Sequence, residues 1–430
     1  MKIHSSLSAP NLLNEAKNSF DVIPNNRQTR SKISLSDCLM SGLAIFGLKY
    51  PSLLQFDQNK VEESVAHNLK KLYLVNQVPS DTYLRERLDE VNPHHMRKAF
   101  KKIFTLLQRG KHLEQFAYLD GHYLVSIDGT GYFNSTKVHC DLCCEKNHRN
   151  GSKSYYHHML GAVLVHPGYK EVIPLPPEPI QKQDGKNKND CEQNAAIRMV
   201  KNIRREHPHL KMIVIEDSLS ANGPHIQLLK KLNMHFIIGA KQYANDFNFF
   251  DKELIHEHSF IDEVGVKHEY KFINDVRLNS SNLKLKVNFL DYYETSPKGK
   301  VHHFTWVTDF PLNETTVHKI MKGGRARWKV ENETFNTLKN QGYHFEHNFG
   351  HGYKYLSTIF SNLMLLAFLI DQVQQLCCKL FQSALAAAKS KIVFWEKVRT
   401  FALNFAIDSW EELYCIIAKK KRVFLQFDST

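Results

Sequence analysis

The chain has 430 residues, with 57 Lys and Arg against 44 Asp and Glu, for a formal charge of +13. Its hydrophobic fraction of 42% and charged fraction of 23% are ordinary for a globular protein of two or three domains and exclude a disordered or fibrous chain. The positive balance favours a polyanionic partner, nucleic acid first and an acidic membrane second; a generically basic soluble protein is the alternative.

Residues 1–26 are polar and broken by prolines, so no secretory leader is expected. The longest uninterrupted apolar run, Leu363 to Ile370, is too short to span a bilayer, and no membrane partner is expected. Eight cysteines, some adjacent, do not read as a disulfide framework. A reducing, cytoplasmic setting follows as the expectation.

Residues 1–32 read as a flexible basic lead-in, and residues 33–118 as a helical domain. Leu39, Leu43 and Phe46 share one helical face; Leu84, Leu88 and Val91 share another. A third helix from His94 to Gln108 buries Met96, Phe100, Ile103 and Leu107 and leaves Arg97, Lys98, Lys101 and Lys102 for phosphates or for solvent. Residues 119–242 alternate strands with helices: strands at Tyr123–Asp128, His157–His166, Lys211–Ile215 and His235–Gly239, helices at Asp190–Glu206 and Gly223–Leu232. That alternation predicts an α/β sheet with some parallel pairing. Residues 243–308 lose helical patterning and read as a β-rich insertion. Residues 309–376 return to helix, near Thr315–Met321 and Arg327–Asn340, and 377–430 form a helical tail.

Two apolar runs end in acid. Tyr123-Leu-Val-Ser-Ile-Asp128 is cut off by Gly-Thr-Gly, and Leu210-Lys-Met-Ile-Val-Ile-Glu-Asp217 has the same form. Strand-end carboxylates on one edge of a sheet make a candidate site, against the simpler reading that they cap turns. A third acid, Glu331, lies four residues after Arg327, on the same helical face. Three carboxylates suit Mg²⁺, with Mn²⁺ as a substitute, and an in-line displacement at phosphate. Glu216 points away from Asp217 across the strand, Glu333 lies on a different face from Glu331, and Asp309 is expected to cap a turn rather than bind metal.

The blocks SIDGTGYF, VIEDSLSANGP and RARWKVENETFNTLKNQGY, in that order, resemble the DDE transposases of bacterial insertion sequences. They are most similar to the group whose third acid lies in a Tyr-x2-Arg-x3-Glu-x6-Lys signature after an inserted β-domain. The resemblance covers roughly residues 35 to 375. It implies an RNase H-like mixed sheet flanked by helices, with Asp128, Asp217 and Glu331 as catalytic, metal-binding acids. It also implies Arg327 on a DNA phosphate, with Arg325 and Lys339 as further DNA contacts. Double-stranded DNA, both element ends and target, is the implied partner, bound by a homodimer near the nucleoid. The implied reaction is DNA cleavage at the element ends and strand transfer. A nuclease that does not join, or an inactive DNA-binding remnant, are the alternatives. Two signature positions depart: Gly324 stands for the tyrosine, and Leu338 for the lysine, with Lys339 one residue further on.

Cys140 and Cys143 supply half of a tetrahedral zinc site. His157, His158 or Cys191 are candidates to complete it; a small reduced-cysteine loop is the alternative. His344, His347 and His351 cluster with Tyr343 and Lys354 and are assigned to a DNA surface rather than to metal.

Overall fold

The computed structural model describes residues 7–25, 33–182, 191–240, 254–279, 281–282 and 284–421. The helix start expected at Asp190 and residues 243–253 of the expected insertion lie outside them.

The first helix, α1 (Ala9–Asp21), falls where a flexible lead-in is expected. Leu12, Leu13, Ala16 and Phe20 recur at helical spacing and are buried, so packing offsets the ordering entropy of this segment. Helices α2 (Leu35–Gly47), α3 (Leu53–Asn59), α4 (Glu63–Tyr73), α5 (Asp81–Asp89) and α6 (Arg97–Arg109) follow. Ser34, Ser52 and Ser80 cap α2, α3 and α5, each side chain accepting an N–H from the first turn. In α6, Ala99, Phe100, Ile103, Phe104 and Leu107 are buried, whereas Lys98, Lys101 and Lys102 are exposed. Arg97 departs from the expected basic surface. It is 6% exposed, and its Nη2 donates to Glu206 Oε2 over 3.0 Å.

The described strands form one mixed sheet: β1 (Tyr123–Ser135), β2 (Cys144–Asn147), β3 (Lys153–Val165), β4 (Ile173–Pro174), β5 (Glu178–Ile180), β6 (Met212–Glu216), β7 (His235–Gly239), β8 (His256–Ile261), β9 (Lys267–Arg277), β10 (Lys286–Thr295) and β11 (Val301–Thr308). The spatial order is β2-β3-β1-β6-β7-β11-β10-β9-β8, with β4 and β5 also pairing with β3. Strand β1 runs antiparallel to β3 and parallel to β6, and β6 is parallel to β7. The β-rich stretch β8–β11 continues this sheet, because β11 pairs antiparallel with β7 through Trp306–Gly239 to Thr308–Ile237.

Helices α7 (Glu192–Glu206) and α8 (Gly223–Lys231) connect the strands β5, β6 and β7. After β11 come α9 (Val317–Arg325), a π-helical turn at Val330–Phe335 and α10 (Asn336–Asn340). The last described helices are α11 (Leu356–Cys377), α12 (Lys379–Ala388), α13 (Lys391–Asn404) and α14 (Trp410–Ile417). By length and composition α11 can cross a membrane, but 94% of its most apolar window is buried inside the protein. It packs on α2, α5, α6 and β4, so the two helical ends and the sheet share one hydrophobic core.

Candidate functional site

Asp128 does not end its strand. β1 continues through Gly129-Thr-Gly131 to Ser135, and Asp128 pairs with Gly161 of β3. What stops is the pairing on the other side: the register with β6 ends at Ser126–Ile215. Asp128 therefore stands just past the parallel pairing, where the β1–β6 edge opens. Asp217 follows β6 directly, and its Oδ1 accepts from Leu219 N over 3.0 Å. Parallel pairing brings both carboxylates to the same end of the sheet.

Glu331 lies in the π-helical turn, which two contacts seat beside Asp128. Ser126 Oγ donates to the carbonyl of Arg327 over 2.9 Å. Ser126 and Asp128 share a face of β1, two residues apart. Phe335 packs over Gly161, the residue opposite Asp128, where an added Cβ would come within 2.8 Å of the ring. Arg327 pairs with Asp128 rather than with Glu331: Nη1 to Oδ2 is 2.8 Å.

The electrostatics of Asp128 record its neighbours. Burial raises its carboxyl above the usual value, Arg327 lowers it, and the charges of Asp217 and Glu331 raise it again. Glu192 is a fourth carboxylate, which the sequence reading missed. Burial raises it too, followed by the charges of Asp128 and Asp217. Its Oε1 would stand 2.3 Å from a Cβ on Gly129. Asp128, Asp217 and Glu192 line one cleft of about 460 Å³, together with Cys191, Asn222 and His225. Glu216 lines it as well, which corrects the expectation that it points away from Asp217, and its Oε2 is held 2.6 Å from His225 Nε2. Burial pulls the His225 imidazole down, and the charge of Glu216 together with its hydrogen bond more than reverses this. The adjacency of Glu192 to Asp128 depends on how α7 packs against β1, which no local pattern encodes.

Asp309 sits at the opposite end of the sheet, where its Oδ2 lies 2.9 Å from His235 Nδ1 and its Oδ1 accepts from Phe236 N over 3.2 Å. It is a capping residue at the start of β7. Arg325 forms an ion pair with Glu294 and stands 4.9 Å over the Phe304 ring, which ties it to β10 and β11. Lys339 pairs with Glu346 over 2.9 Å.

The two departures from the signature have packing causes. At Gly324 an added Cβ would lie 2.4 Å from Trp306 Nε1, so no side chain fits. Leu338 is fully buried, a position where lysine would place a charge in the core.

A second cluster lies elsewhere. Cys140, Cys143, His157 and His351 bring four ligand atoms within 4.8 Å of one another, a group that can hold a metal such as zinc. By the same spacing the three acids do not form such a group. Cys140 and Cys143 precede β2, and His157 is on β3. His158 and Cys191 take no part; the His158 ring lies over Gly131, and Cys191 is exposed at the acidic cleft. His351 corrects the assignment of its histidine cluster to a DNA surface. The loop after α10 folds back over β1 and leaves His351 9% exposed, its Nε2 3.1 Å from Cys143 Sγ. Within the pair, hydrogen bonds from Cys143 and His157 pull the Cys140 thiol down, and the hydrogen bond with Cys140, followed by burial, pushes Cys143 up.

No family model matches the chain, and no curated protein matches it.

Proposed function

We propose that the chain is a DDE transposase that cleaves DNA at insertion-sequence ends and transfers the strand to target DNA. One observation carries the reading. Carboxylates from three separate stretches of chain stand close enough for Asp217 and Glu331 to act on Asp128, and the Arg327 guanidinium opposes them. The pairing of β1, antiparallel to β3 and parallel to β6, supports an RNase H-like core. The formal charge of +13 supports a DNA partner.

The donor set suits a hard divalent cation: the acids offer oxygen ligands, and burial, with a smaller contribution from the charges of Asp217 and Glu331, raises Asp128. Asp128, Asp217 and Glu331 would hold Mg²⁺, or Mn²⁺ in its place. When bound, the metal supplies a water of lowered pKa and charge neutralisation at the leaving oxygen. Arg327 gives one N–H to Asp128 and keeps further donors for a phosphate. Ser126 fixes the backbone from which Arg327 projects. Hydrolysis at the element end leaves a 3′-hydroxyl, and that hydroxyl attacks target DNA, so no covalent protein–DNA intermediate forms. Assembly on two ends calls for a homodimer on DNA within the cytoplasm.

The test is a cleavage and joining assay in Mg²⁺ on DNA carrying the ends of the encoding element, beside Asp128→Asn. Nicked and joined products that vanish in the variant are expected. Nicking without joining would replace the reading with a nuclease. Binding without cleavage would leave a DNA-binding remnant.

A further inference from the structure

Four ligands of one kind of metal meet where three segments of chain converge. Cys140 and Cys143 lie between β1 and β2, His157 on β3, and His351 in the segment between α10 and α11. Their separations can be compared with a coordination shell. Zinc takes sulfur at about 2.3 Å and nitrogen at about 2.0–2.1 Å, so a regular tetrahedron has S···S edges of about 3.8 Å and S···N edges of about 3.6 Å. The Sγ atoms of Cys140 and Cys143 are 3.8 Å apart. His157 Nε2 is 3.4 Å from each sulfur, and His351 Nε2 is 3.1 Å from Cys143 Sγ.

The surroundings suit that ion. Cys143 and His157 are 0% and 1% exposed, Cys140 and His351 8% and 9%. Two thiolates balance a divalent cation, so the centre is neutral and its burial carries no net charge into the core. The ring orientations are set by packing: Tyr132 stacks on His157 with centroids 5.8 Å apart, and Phe133 lies 4.3 Å from His351. Both residues sit on β1, beyond Asp128.

We propose that Cys140, Cys143, His157 and His351 bind one structural zinc ion, which fastens the segment between α10 and α11 to the β1–β3 arm. Two protons leave as the thiols become thiolates. The ion thereby links the strand that carries Asp128 to the stretch that follows Glu331 and α10. A second anchor holds the same segment. The Asp89 carboxylate accepts the backbone N–H groups of Tyr353, Lys354, Tyr355 and Leu356, each over 2.9 Å. The zinc is thus one of two pins on this loop, and the site stands whatever reaction the acidic cleft performs.

The test begins with zinc content of the full chain, purified without metal-affinity resin. One equivalent of zinc per chain is expected. It should fall towards none in Cys143→Ser and His351→Ala, and remain in His158→Ala and Cys191→Ser. Should the ligand variants fail to fold, cobalt exchanged into the native chain gives an independent reading. Thiolate-to-cobalt charge transfer with tetrahedral d–d bands supports the site, and an octahedral spectrum overturns it. Hydrogen exchange before and after chelation then tests the fastening. Faster exchange confined to residues 341–355 and the β1–β3 arm supports it. A native chain purified without zinc, or unchanged exchange of 341–355 after zinc removal, overturns the proposal.

Discussion

Arg327 donates from Nη1 to Oδ2 of Asp128 over 2.8 Å, joining the turn between α9 and the π-helical segment to the middle of β1. Burial raises the Asp128 carboxyl, and Arg327 opposes it most strongly, followed by the backbone N–H of Gly129. Arg327→Ala should therefore raise it further. A group that acts as a carboxylate loses function as pH falls through its pKa, so the acid limb of the pH–rate profile should move to higher pH. Cleavage at neutral pH should fall roughly 10²-fold, the size of effect expected when one charge-stabilising donor is lost. Arg327→Lys should recover part of this. An acid limb at the same pH in Arg327→Ala would show that the pair does not govern Asp128.

Glu192 leads to a stability prediction. Burial and the charges of Asp128 and Asp217 raise its pKa in the fold, so the folded state holds this proton more tightly than the unfolded chain. Its contribution is then present below the ordinary glutamate value and is lost as pH rises through the raised one. At neutral pH without divalent metal, Glu192→Gln should melt at a higher temperature than the parent, and the gap should close at acidic pH. Thermal melts across that range measure it.

Gly324 and Leu338 test the packing account of the signature departures. Gly324→Tyr drives a ring into Trp306, and even Gly324→Ala should cost about 1–3 kcal/mol by overpacking. Leu338→Lys buries an unpaired charge and should cost about 3 kcal/mol or more. Denaturant unfolding reads both. Near-neutral values would show that these positions have room for the signature residues.

A buried ion pair ties the N-terminal helices to α11. Lys49 Nζ lies 2.7 Å from Asp371 Oδ2, and the same ammonium sits 3.8 Å above the Trp395 ring. Burial lowers Lys49 and raises Asp371. Removing either partner strands the other, so Lys49→Met or Asp371→Leu alone should cost about 3–5 kcal/mol, and the double variant much less than the sum. Additive losses in chemical unfolding would contradict this.

The sequence displays the parts whose pattern is local. Apolar runs mark β6 and β7 to within a residue or two. The Gly129-Thr-Gly131 step misleads, because glycines there read as the end of a strand. They occur inside β1 because the side chains of Glu192 and His158 lie over them, a long-range cause with no local signature. His351 joins Cys140 and Cys143 from far along the chain for the same kind of reason, through a loop that folds back. At Gly352 the backbone adopts φ +65°, and a Cβ would meet Asp89 Oδ1 at 2.4 Å. The acids Asp128 and Asp217 are readable as paired strand-derived carboxylates, whereas Arg327 choosing Asp128 over its helical neighbour Glu331 is not.

The central claim is that Asp128, Asp217 and Glu331 act as one centre. Its most direct measurement is the Mg²⁺-dependent cleavage rate of Asp128→Asn, Asp217→Asn and Glu331→Gln, singly and combined, with folding checked by melting. The account predicts that each single change abolishes cleavage and that combining them costs nothing further, the behaviour of residues that work as a unit. Cleavage that survives any one of the three, or losses that add stepwise, would contradict it.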